Sequence, residues 1–120
     1  MGRRARRRGA DERLRAPESA YTAPGGDVLV LRGALTPATR RQYAAALAGS
    51  PLSREDAWQR AAELLFERLA VRWEIAGAEP LTRQGELLGR YRFASQEERR
   101  WIREVLREHV AEHFPDVEAP

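Results

Sequence analysis

The chain has no cysteine and no lysine. The first absence excludes disulfides, thiol chemistry and thiolate metal sites. The second means that all 21 basic residues are arginine. Long hydrophobic runs are missing as well. No apolar segment approaches the ~18 residues of a membrane span. None of signal-peptide length follows the basic N-terminus, so secretion by that route is not expected. Zinc modules, helix-turn-helix spacing and aromatic RNA-binding motifs are absent. Gly25 and Gly26 precede an apolar stretch instead of joining a strand to a helix, so they do not form a phosphate loop.

What remains is a 120-residue chain with a net charge of +3. That length suits one domain with a modest core. The charge is unevenly placed. Residues 1–26 carry Arg3, Arg4, Arg6, Arg7, Arg8, Arg13 and Arg15 against Asp11, Glu12 and Glu18, while the rest is nearly neutral. The same segment lacks apolar periodicity and contains Pro17, Pro24, Gly25 and Gly26, the composition of a linker. Residues 1–26 therefore read as a disordered Arg-rich arm and linker, 27–114 as one globular domain, and 115–120 as a tail.

Within the domain, Val28–Arg32 is Val/Leu-rich and bounded by Gly26 and Gly33, a short strand with four successive apolar residues that suggest burial on both faces. Thr36, Pro37 and Gly49 mark the N-cap, first position and C-cap of a helix whose alanines imply close packing on a neighbour. Ser53 and Asp56 stand at capping-box spacing, ahead of a helix with Trp58, Ala62, Leu65 and Leu69 on one face, widened by Ala61 and Phe66. A shorter helix is expected over 80–94, with Thr82 as N-cap and Gly85 and Gly89 weakening it. Ser95 and Glu98 form a second capping box, opening a helix to Phe114 with Trp101, Ile102, Val105, Leu106, Val110 and Phe114 as its apolar stripe. Like charges recur four apart on it, as in Arg99/Arg103/Arg107 and Glu104/Glu108/Glu112, so its charge forms rows. Pro115 stops it.

The stretch 71–77 is ambiguous. Val71, Trp73 and Ile75 alternate with polar or small residues, a period of two that favours a strand. A continued helix would also place Trp73 on the face of Leu69. Pairing favours the strand, because a lone strand at 28–32 would leave its backbone groups without partners. The expected fold is α+β and mostly helical, with about four helices and a small two-stranded sheet joining 28–32 to 71–75.

Candidate chemistry is sparse. His109 and His113 are four apart on a helix, as two metal ligands would be. No cysteine or third histidine completes a set, so they read instead as residues of a final helical turn, where positive charge is favoured. Ser, Thr and Asp sit mostly at caps, and the acid pairs Glu55/Asp56 and Glu97/Glu98 sit in first helical turns, so an enzyme is not expected and no cofactor is implied. Arg3, Arg4, Arg6, Arg7 and Arg8 could neutralise phosphates in a salt-dependent, sequence-independent way. That makes a nucleic-acid-binding accessory protein the alternative reading. The three tryptophans lie on apolar faces and read as core, or as an anchor for a protein partner.

One resemblance stands out. Leu31, Arg32, Gly33, Leu35 and Thr36, followed by an amphipathic helix and then by Trp73, Gly77, Pro80, Leu81 and Thr82, resemble the pattern of the small tail-assembly chaperones of long-tailed bacteriophages and prophages. It spans roughly 28 to 95; the arm and the last helix lie outside it. The resemblance implies a non-catalytic protein of the bacterial cytoplasm that binds tape-measure or tail-tube subunits before assembly.

Overall fold

In the computed structural model, which describes residues 16–49 and 53–120, four helices and a three-stranded antiparallel sheet share one core. The elements are β1 (Glu18–Thr22), β2 (Val28–Arg32), α1 (Pro37–Ala48), α2 (Arg54–Leu69), β3 (Ala70–Glu74), α3 (Gln84–Arg92) and α4 (Gln96–His113). The strand order is β1-β2-β3. The α+β, mostly helical class is as expected from the sequence. The sheet is not: it has three strands where the sequence suggested two.

The extra strand comes from the segment read as linker. β1 pairs with β2 from Glu18↔Arg32 to Thr22↔Val28. The loop Ala23–Asp27 closes a hairpin, with Gly26 N–H donating to the Ala23 carbonyl at 2.9 Å and Gly26 at φ +99°. Proline and glycine, taken above as linker residues, are the turn residues here. β1 escaped notice because it is an edge strand with one large apolar residue, Tyr21. Its inward row, Ser19 and Tyr21, is polar, and its outward row, Glu18, Ala20 and Thr22, is exposed.

β2 buries Leu29 and Leu31 fully, while Val28 and Val30 are only half-buried on the outer face. The prediction of burial on both faces is thus half met. β3 begins the residue after α2 ends, one position earlier than predicted, and pairs with β2 through Leu29↔Trp73 and Leu31↔Ala70 across a bulge. The strand reading of the ambiguous stretch holds, with Trp73 directed inward at 1% exposure. Its ring meets Phe66 edge-on, with centroids 5.6 Å apart. Gly77, at φ +81°, turns the chain. Leu81 then bonds back to Trp73 on the outer side of β3, so it extends the sheet and does not start a helix. α3 opens only at Gln84, with Arg83 at the cap position and no side-chain cap, so Thr82 is not the cap predicted for it.

The other N-caps form, though Ser53 takes only the bond from Asp56 N–H and not the reciprocal box its spacing suggested. Thr36 and Ser53 accept from Thr39 and Asp56 N–H at 3.1 Å each. Ser95 and Glu98 make the reciprocal box. Gly49 is needed where α1 meets α2, because a Cβ there would lie 2.6 Å from that of Ala57. The core joins Leu29, Leu31 and Trp73 of the sheet to Leu65, Phe66 and Leu69 of α2 and to Ile102, Leu106 and Val110 of α4. The final residues pack and do not trail: Tyr43 Oη donates to the Glu118 carbonyl, and Arg40 pairs with Asp116 at 3.0 Å. None of the described helices is long and apolar enough to cross a membrane.

Candidate functional site

The polar features of the described residues gather along α4, in two groups with different character. The first is on its C-terminal half. His109 is fully buried, although the sequence reading explained it by the positive charge that a final helical turn favours. Its Nε2 lies 2.8 Å from the Arg32 carbonyl and its Nδ1 2.8 Å from Tyr21 Oη. A carbonyl only accepts, so Nε2 carries the proton, and the bare Nδ1 accepts from the tyrosine. One neutral tautomer satisfies both bonds. His113 Nε2 is 3.0 Å from Ser19 Oγ, and the two imidazoles lie 4.4 Å apart. Gly33 makes room for this: a Cβ there would press on His113 Nδ1 and the Pro17 carbonyl at 3.0 Å.

Burial holds the His109 pKa below the usual histidine range, and neighbouring His113 adds to the effect against the Arg32 carbonyl and Glu112. Burial, helped by Glu112, likewise raises the Tyr21 hydroxyl. Both nitrogens of His109 are engaged, so metal ligation would break a bond to β1 or β2. Among the described residues no cluster of three or more His, Cys, Asp or Glu could hold a metal ion. The pair clasps the edge hairpin to α4. The signal was present in the sequence: His109 falls seven residues after Ile102 and three after Leu106, on the buried stripe.

The second group is on the N-terminal half. A cleft of about 370 Å³ separates α4 from α2, lined by Trp58, Glu55 and Glu63 on one side and Arg99, Arg100 and Arg103 on the other. Trp58, read above as a core residue, is 39% exposed. The α2 core face is instead Ala57, Ala61, Ala62, Leu65, Phe66 and Leu69. Trp58 stands between this cleft and a second, of about 440 Å³, against Tyr43, Leu47 and Val117. The Arg103 guanidinium covers the Trp58 ring at 5.1 Å, and that of Arg99 covers Tyr91 at 5.6 Å. Arg103 Nε is buried without a hydrogen-bond partner among the described residues, while its Nη1 reaches Glu55 at 3.5 Å. Glu63 is held by Arg92 at 2.7 Å. On the other flank of α4, a cleft of about 390 Å³ carries Asp27, Glu97, Glu98 and Glu104 around Trp73 and Trp101, with Arg100 on the ridge between the two clefts. Burial raises the Glu98 carboxyl, but the Ser95 N–H and Arg90 outweigh it and hold it below the usual range.

Cap residues Thr36, Ser53 and Ser95 are engaged with backbone, as the sequence suggested. Arg3, Arg4, Arg6, Arg7 and Arg8 lie outside the described residues. No protein-family model, curated protein or solved structure matches the chain.

Proposed function

We propose that this chain is a non-catalytic interaction protein of the tail-assembly chaperone kind, which holds a tape-measure or tail-tube subunit before assembly. The observation that supports the reading is Trp58, a large aromatic left partly open on a ridge between two clefts. Tryptophan and arginine are the side chains most often found as binding hot spots, and here they are stacked on one another. A partner's apolar helical or strand-edge segment laid along this ridge would be masked until polymerisation of the tube displaces it.

Co-expression with tape-measure and tail-tube subunits tests the reading. The intact chain is expected to co-purify with one of them, and Trp58→Ala to weaken capture by roughly 30-fold, the usual loss at a hot spot of about 2 kcal/mol. Failure of both subunits to co-purify with the intact chain removes the reading.

A further inference from the structure

The α2–α4 cleft has a charge pattern that selects among partners. Three guanidiniums, those of Arg99, Arg100 and Arg103, line it. Of the two carboxylates that line it, Glu63 is paired with Arg92, outside the cleft lining, and Glu55 reaches Arg103 at 3.5 Å while remaining 60% exposed. Arg99 spends one donor on the Arg92 carbonyl, and Arg100 makes no salt bridge with any described residue. The cleft therefore has a surplus of donors on the outward edges of these guanidiniums. Guanidinium donors bond carboxylates strongly, because both partners are charged and the fork geometry allows paired bonds.

We propose that this cleft takes an acidic peptide segment of a protein partner, its carboxylates bonding the outward edges of Arg99, Arg100 and Arg103 and its apolar side chains resting against Trp58. The inference rests on the interaction reading above and adds the chemistry of the partner. Peptide is favoured over nucleic acid on two grounds. Glu55, 60% exposed on the α2 wall, repels a continuous phosphate backbone, whereas a peptide can place its carboxylates on the α4 side alone. Arg103 covers one face of Trp58 and Arg99 one face of Tyr91, which leaves fewer ring faces for bases to stack upon.

The test is calorimetric titration of the full chain with three probes: a synthetic amphipathic peptide of Leu and Glu, the same peptide with every Glu replaced by Gln, and a single-stranded oligonucleotide. The acidic peptide is expected to bind, and the Gln peptide to bind at least about tenfold more weakly. Arg99→Gln and Arg103→Gln should each lower affinity for the acidic peptide by roughly tenfold, with an unchanged circular dichroism spectrum. Arg103→Lys should fail to restore it, because an ammonium cannot offer the paired donors of a guanidinium. Equal binding of the two peptides, indifference to both Gln variants, or preference for the oligonucleotide overturns the proposal. The two readings fail separately. If Trp58→Ala abolishes capture of a tail subunit while Arg99→Gln and Arg103→Gln do not, the acidic partner is wrong and the chaperone reading stands. If the acidic peptide binds through these arginines and no tail subunit is captured, the reverse holds.

Discussion

The two halves of α4 share a composition rich in Arg and Glu, yet the structure uses them in opposite ways. From Val105 onward the inward residues are buried, and the two polar side chains turned toward the hairpin, His109 and His113, are matched to partners on β1 and β2. From Gln96 to Glu104 only Ile102 is fully buried, and the remaining residues open onto clefts with an unmatched arginine donor on one flank and a group of carboxylates on the other. Matched polar groups hold a fold together. Surplus ones cost stability in isolation and are repaid when a partner satisfies them, so the contrast separates scaffold from surface within one helix.

The contrast can be broken by mutation. The largest effect is expected at the core of the scaffold half. Leu106→Ala should cost about 2–5 kcal/mol in urea unfolding, by lost burial and the cavity left behind. Arg100→Gln, less than two turns earlier, should stay within about 0.5 kcal/mol of the parent, as substitutions at exposed positions usually do. Similar losses for the two would erase the division.

A smaller effect sharpens the role of the clasp. Tyr21→Phe keeps the ring but leaves the buried Nδ1 of His109 without its donor, and should cost about 1–3 kcal/mol. An unfolding midpoint equal to that of the parent would show that the tyrosine bond is not part of the scaffold.

The smallest effect is one of pH. The His109 pKa is depressed in the folded state, chiefly by burial, so the unfolded chain binds protons first as pH falls. Stability should therefore be constant above the unfolded value of about 6.5 and decline as pH drops below it, down through the lower folded value. The surroundings set how far the loss goes: His113 opposes a charge on His109, whereas Glu112 and the Arg32 carbonyl favour one. His109→Gln should flatten the decline in urea midpoints between about pH 7 and pH 5. An unchanged slope in that variant would place the titration elsewhere.

Most of the elements were legible in the sequence because their signals are local. Ser53, Thr36 and the Ser95/Glu98 box announce helix starts within four residues, and the alternation Val71-Trp73-Ile75 announces a strand within five. The misreadings have a common cause. β1 carries one large apolar side chain, so its strand character depends on β2 beside it and on two histidines about ninety residues away. Leu81 and Thr82 resemble a helix start, but the free edge of β3 captures Leu81 first. Trp58 fits the apolar rhythm of α2, and only the position of α4 leaves it at a cleft rim. His109 lay on the stripe, but its type suggested the surface.

Taken alone, then, the sequence determined the class, the starts of three of the four described helices, the burial of Trp73 and the absence of thiol chemistry, because caps, periodicity and composition act over a few residues. The tertiary structure alone decided that Glu18–Thr22 is a strand, that the histidines are a clasp with His109 buried, and that Arg103 covers Trp58 beside Arg99 and Arg100 in one cleft. Those outcomes depend on which donors and acceptors from distant segments are brought within about 3 Å of one another, the range of a hydrogen bond.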